Sequence, residues 1–437
     1  MYDLKKLGKT VFPEGFLWGA ATAAHQVEGG NTGNQWWAFE QQESRIERGE
    51  KSGRACDHYN KFAGDFDLAR SLGHNAHRLS IEWSRICPEQ GTFDEAGIEH
   101  YHKVFEALKE RGMKISLTLV HFTEPLWFAE MGGFTRPGAE SDLAAFASRC
   151  ASEYSGLVDY WATFNEPQVS LCGWLWNEFP PGKEDLVATC RVLAGQLKAH
   201  AAARTAIKEV APDARVGLVM AAGEFRPLRD NDFLDRHYCG LLDYLWAECH
   251  IQAVATGWLR FPLIGADEQI PGLKDSCDWW GVNYYTDNIV DSRRAHLLAQ
   301  ALPGQRVTGM GWTWAPEGLV KQLERFSRAG GVPLFVTENG LATEDDCERV
   351  RHLAEHLRSV AVAIESGIDV RGYFHWSLMD NFEWARGFRP RFGLIGVDYE
   401  TLERTPRPSA RFYAEVIERN CLTRELVEKY LPEAYRF

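Results

Sequence analysis

Eight short apolar, β-prone runs alternate with helix-spaced segments along this chain of 437 residues, and that alternation constrains the fold more than any other feature. The runs are Phe16–Ala24, Asn75–Glu82, Lys114–His121, Asp159–Asn165, Arg215–Ala222, Trp279–Tyr285, Pro333–Glu338 and Val370–Trp376. Between them, apolar residues recur at helical spacing. Phe62, Phe66, Ala69 and Leu72 share one face and stop at Gly73; Leu353, Leu357, Val360 and Ile364 share another and stop at Gly367. A 3.6-residue apolar stripe closed by glycine is the signature of an amphipathic helix. Strand–helix alternation predicts a parallel sheet, and eight repeats predict closure into an α/β fold of the (β/α)8 TIM-barrel type. We expect a single barrel domain over residues 1–437. An open doubly wound sheet is the competing architecture. It would want a Gly-rich phosphate turn after the first strand, and Gly29-Gly30 does not supply that pattern.

Composition narrows the partners. Hydrophobic residues make up 45% and charged residues 25%, ordinary values for a water-soluble chain. A net charge of −13 argues against nucleic acid or an anionic membrane as partner. Lys5, Lys6 and Lys9 precede VFPEGFLWGAATAA, which superficially resembles a secretion signal. Pro13 and Glu14 interrupt it, and Phe16–Ala24 reads as a buried strand instead. None of the ten cysteines stands in a C-x-x-C pair, so zinc and dithiol redox sites find no support. Buried free thiols in a reducing cytoplasm are expected.

A barrel places its chemistry at the C-terminal ends of its strands. The polar residues cluster there: Gln26 and Glu28, Arg78, His121, Asn165 and Glu166, Tyr284 and Tyr285, Glu338 and Asn339, then His375 and Trp376, with Glu224 a weaker candidate after the fifth strand. Two segments stand out, DYWATFNEP at Asp159–Pro167 and PLFVTENG at Pro333–Gly340. Each is apolar and ends in an asparagine beside a carboxylate. Two carboxylates delivered from the ends of two buried strands suit cleavage of a glycosidic bond. Pro167 disfavours a helical Glu166 and predicts an extended one. Taken alone, each residue has a plainer explanation: a helix-capping acid, a core histidine at His121, a loop hydrogen-bonder at Gln26, a barrel-core indole at Trp376.

Four motifs in order outweigh those explanations. TFNEP, VTENG, HQVEG and FHWSLMDNFEWARGFRPRFGL (Phe374–Leu394) together resemble the glycoside hydrolase family 1 β-glycosidases, from about Phe12 to Tyr413. The resemblance implies a retaining β-glycosidase of β-glucosidase type, with no metal and no organic cofactor. It implies Glu166 as general acid/base and Glu338 as nucleophile, with Arg78 favouring the ionised form of Glu338 and Tyr285 donating to it. Gln26, His121, Asn165, Glu383 and Trp384 would hold sugar hydroxyls over Trp376. A non-proline cis bond is implied at Trp376-Ser377. The intact Glu383-Trp384 pair implies an unphosphorylated small-molecule or oligosaccharide β-glycoside, with glucosides, galactosides and fucosides all compatible.

The sequence departs from the family pattern on the leaving-group side, at HFTEP (His121–Pro125) and at Gln168. Trp174, Trp176 and Trp312 are candidates to line that outer cleft. A transglycosidase would use the same residues. A non-hydrolytic sugar-binding barrel would not need both Glu166 and Glu338.

Overall fold

The computed structural model describes residues 2–261, 266–294, 297–299, 301–302 and 304–435. Each of the eight apolar runs supplies one strand. They are β1 (Leu17–Ala21), β2 (Ala76–Ser80), β3 (Lys114–Val120), β4 (Tyr160–Asn165), β5 (Val216–Ala222), β6 (Trp279–Tyr284), β7 (Leu334–Asn339) and β8 (Val370–Trp376). Every neighbouring pair is parallel, and β8 pairs with β1 to close the barrel in sequence order. The first two strands are shorter than their apolar runs because the chain turns at once into short helices, Ala24–Val27 and Trp83–Ile86.

Helices fill the crossovers: α1 (His58–Ser71), α2 (Glu95–Glu110), α3 (Ala139–Tyr154), α4 (Leu186–Val210), α5 (Phe233–Asp243), α6 (Cys249–Thr256), α7 (Pro316–Ser327) and α8 (Asp346–Glu365), with α9 (Pro408–Arg419) after the last strand. The causes are local. Asp345 caps α8 by accepting from the Cys347 amide at 2.9 Å. Leu353, Leu357 and Val360 are completely buried against the barrel, each stabilising the packed state by about 1.5–3 kcal/mol. Gly367, at φ 88°, ends the helix where a side chain would be strained. All ten cysteines are unbridged; nine are buried and Cys347 is partly exposed. Among the described residues no helix is long and apolar enough to cross a membrane.

Inside the barrel the two ends differ. Near the strand N-termini, Tyr160, Trp279 and Phe335 meet edge to face, with ring centres 4.9, 5.5 and 6.0 Å apart. Such contacts add to plain area burial. Ala76 and Ala162 belong to the same cluster. This aromatic plug shuts the lower end and leaves the polar residues at the upper one. There the Trp376–Ser377 bond is cis, as the family resemblance implies. Gly340 lets β7 leave beside β8: a Cβ on it would lie 1.7 Å from the Trp376 carbonyl oxygen. Gly340→Ala should therefore force the two strand ends apart and cost about 2–3 kcal/mol. Denaturant titration checks this, and unchanged stability would contradict the contact.

Candidate active site

Both strands that end in the key carboxylates carry one extra residue. Ala162 pairs with Gly217 and Asn165 with Val219, so three steps along β4 match two along β5. Val282 pairs with Val336, but Asn283 pairs with Glu338, so two steps along β7 match one along β6. An inserted residue reverses which side chains face inward. On β4, Ala162 faces the interior, Thr163 bonds His200 of α4 at 2.7 Å, Phe164 packs on Phe134 outside the barrel, and Asn165 returns inward.

Glu166 does not take the extended conformation expected before Pro167. It sits in the left-handed region at φ 45°, ψ 60°, with its amide donating to the Val219 carbonyl at 2.8 Å. Proline keeps it out of the right-handed helix, as argued, but the bulge and that amide bond select the left-handed alternative over the extended one. The result is that two successive side chains reach one partner. Asn283 Nδ2 donates to Asn165 Oδ1 at 3.0 Å and to Glu166 Oε1 at 2.8 Å.

Opposite, Glu338 is 4% exposed. Arg78 Nη1 donates to its Oε1 at 2.5 Å, and the Tyr285 hydroxyl donates to Oε2 at 2.7 Å. The other arm of Arg78 donates to Asn165 Oδ1 at 2.7 Å, so one guanidinium bridges the ends of β4 and β7. Burial, followed by the negative charge of Glu338, pushes the Glu166 carboxyl up to about 8; Asn283 and Arg78 oppose the rise. Burial and then Glu338 also push the Glu383 carboxyl up to about 8, against bonds from Trp376 and Gln26. Burial, then Glu338, holds the Tyr285 hydroxyl well above the usual phenol range, so it stays a donor.

A third side of the pocket is built by the loop after β8. Gln26 Nε2 donates to Asn381 Oδ1 at 3.0 Å, to the Phe382 carbonyl at 2.9 Å and to Glu383 Oε2 at 3.3 Å. His121 Nε2 lies 3.2 Å from Asn165 Nδ2, and its ring is nearly parallel to those of Trp376 and Trp384. Two buried polar atoms here, Gln26 Oε1 and His121 Nδ1, find no hydrogen-bond partner among the described residues. Above lies a cleft of about 590 Å³, walled by Glu383, Trp384, Trp312, Met310 and Phe179 among others. Of the three tryptophans expected there, only Trp312 takes part. Trp174, in the short helix Cys172–Leu175, carries the Lys183 ammonium 4.9 Å over its ring, and Trp176, which caps that helix, faces a separate apolar hollow.

The structure thus brings together Gln26, Arg78, His121, Asn165, Glu166, Tyr285, Glu338, Trp376, Glu383 and Trp384. Other strand-end residues go elsewhere. Alternation turns Tyr284, Asn339 and His375 outward: Asn339 Nδ2 donates to the Tyr284 carbonyl and its Oδ1 accepts from Tyr373, while His375 packs toward Tyr413. Glu28 pairs with Arg85 and Tyr101, and Glu224 with Lys321. The residue missed by sequence reasoning is Asn283. Its signal was present in GVNYY: if Tyr285 faces inward at a strand end, so does the residue two before it.

The sequence matches the family described as Glycosyl hydrolase family 1 over residues 8–422. It is 30% identical to Beta-glucosidase A of Thermotoga maritima, covering 94% of this chain and 98% of that protein. It is 31% identical to the Beta-galactosidase of Pyrococcus woesei, covering 96% and 100%. The solved β-glycosidase from Pyrococcus horikoshii superposes with a TM-score of 0.89 at 39% identity, covering 98% and 100%. The chain belongs to glycosyl hydrolase family 1.

Proposed function

We propose that this family 1 enzyme hydrolyses terminal, unphosphorylated β-D-glycosides with retention, using Glu338 as nucleophile and Glu166 as acid/base. The observation that carries this is the unequal treatment of two neighbouring carboxyls. Glu338 accepts bonds from a buried cation and a phenol, which favour a carboxylate, while Glu166 is pushed up to about 8 and so holds its proton at neutral pH. In the first step Glu338 attacks the anomeric carbon, the bond to the leaving oxygen breaks, and Glu166 gives that oxygen its proton. The ester that forms removes the charge of Glu338. Glu166, having given up its proton and no longer facing that charge, stays ionised and takes a proton from water as the water attacks the anomeric carbon. Glu338 leaves as carboxylate, and two inversions restore the β-anomer.

Asn165, Gln26, His121, Glu383 and Trp384 hold the sugar hydroxyls over Trp376 in this reading, supported by the two unpartnered polar atoms on Gln26 and His121. Glucosides are the first choice, with galactosides and fucosides as further substrates; relatives named for glucoside and galactoside cleavage support that range. The cleft at Trp312 takes the leaving group. Ten unbridged thiols support a cytoplasmic setting.

Three outcomes are expected. NMR of an aryl β-glucoside digest should show the β-anomer first. Glu338→Gly should lose nearly all turnover and regain some with azide as an α-glycosyl azide, while Glu166→Ala should lose far less on good leaving groups. Initial α-anomer would remove Glu338 from the nucleophile's role, and like responses of both variants would overturn the role assignment.

The second concerns pH. Catalysis needs protonated Glu166, so kcat/KM should fall as pH rises through about 8. Removing the neighbouring charge in Glu338→Gln should lower the Glu166 pKa, as read by carbon NMR of labelled glutamate. An unmoved or raised value would deny the coupling.

The third concerns charge on the substrate. The burial and Glu338 charge that keep Glu383 protonated also oppose a phosphate dianion at the sugar's 6-position. With Glu383 protonated the opposing charge is that of Glu338, and each like-charge pair at about 8 Å costs about 2 kcal/mol at intermediate dielectric. After relaxation, kcat/KM for an aryl β-glucoside should still exceed that for its 6-phosphate by about 100-fold or more. Equal values would sink the role given to Glu383.

A further inference from the structure

Behind the sugar pocket, a partly buried cluster of arginines and aspartates ties together the loops that follow β7 and β8. Asp380 is completely buried. Arg407 grips it through two parallel bonds, Nη1 to Oδ1 at 2.9 Å and Nη2 to Oδ2 at 2.7 Å, and Arg391 Nη1 donates to Oδ2 at 3.2 Å. The amides of Gly393 and Val397 donate to the same carboxylate at 3.0 and 3.4 Å. A forked guanidinium–carboxylate pair fixes orientation as well as distance. From the β7 side, Arg349 bonds Asp346 and the Thr343 and Arg391 carbonyls, and Ser409 donates to Asp346 through both its amide and its hydroxyl. The fit is close: a Cβ on Gly393 would lie 2.2 Å from the Asp380 amide nitrogen.

Asp380 opens the four-residue run that ends at Glu383. On the pocket side Gln26 holds that run, by its side chain as above and by its carbonyl, which accepts from the Phe382 amide at 3.1 Å. On the far side the run is held at Asp380. Glu383 is therefore presented from a segment clamped at both faces, and neither Asp380, Arg391 nor Arg407 lines the cleft.

We propose that Asp380, fixed by Arg407 and Arg391, is the positioning residue that sets where Glu383 meets the sugar, and so sets discrimination between glycosides with a C6 hydroxymethyl group and those without one. This rests on the sugar-binding role read above for Glu383. Asparagine at 380 keeps the volume but loses the charge that both arginines grip. Lysine at 407 keeps the charge but replaces a fork with a single point of contact. Either change loosens the loop without touching the substrate, and small misplacements of a binding group are expensive in rate.

The test compares an aryl β-glucoside with the matching aryl β-xyloside in the wild-type enzyme, Asp380→Asn, Arg407→Lys and Glu383→Gln, with thermal unfolding of each. For Asp380→Asn and Arg407→Lys, kcat/KM on the glucoside should fall by about 10–100-fold. The loss on the xyloside should be about tenfold smaller, so selectivity collapses toward that of Glu383→Gln. Intact selectivity in Glu383→Gln would remove the role on which the proposal stands. Collapse in Glu383→Gln, with equal losses on both sugars in the other two variants, would leave the pocket reading in place and overturn the brace. A fall in unfolding midpoint alone would overturn it too. If Asp380→Asn does not fold, Arg407→Lys and Arg391→Lys read the same pair from its other side.

Discussion

A single buried cation governs the charge of the whole pocket. Arg78 and Glu338 are 1% and 4% exposed, and each would cost several kcal/mol to bury alone. Together, with Tyr285 donating to Glu338 and Asn165 accepting from Arg78, they form one dipole across the barrel mouth. Burial first, and the negative charge of Glu338 second, push both Glu166 and Glu383 up to about 8. Removing Arg78 would strand a buried carboxylate, a change worth about 3–5 kcal/mol in comparable pairs. The cation that holds Glu338 comes from β2, a strand that supplies neither carboxylate.

That arrangement depends on backbone irregularity at both acids. Regular alternation along β4 from Ala162 would send Asn165 outward. The extra residue on β4 and the one on β7 correct the aim at the last step before the carboxylate. Bulges cluster beside active sites for this reason. The left-handed Glu166 adds a second correction, allowing neighbours in sequence to share Asn283.

Much of this was legible in the sequence, because the signals were periodic. Eight apolar runs with helical spacing between them led to the barrel, and the strand-end rule led to most of the pocket. What was not legible was parity. Tyr284, Asn339 and His375 read as well as their neighbours did, and only the ladder shows which of each adjacent pair turns inward. Asn283 went unseen for the same reason. The conformation of Glu166 was misjudged because Pro167 restricts but does not choose. Trp174 and Trp176 were misplaced because a four-residue helix is too short to show a readable period. The brace at Asp380 joins residues from 346 to 409 and is visible only once the two loops are folded together.

The cysteines make the molecule its own reporter. Nine thiols lie buried at different depths and on different elements, from Cys56 beside the Asp380 carbonyl to Cys421 on the strand near the C-terminus, while Cys347 alone is partly open. A buried thiol reacts only when the structure around it opens. The order in which alkylation reaches these positions under mild denaturant is thus a map of which crossovers of the barrel loosen first, written in mass increments and requiring no label beyond the native chain.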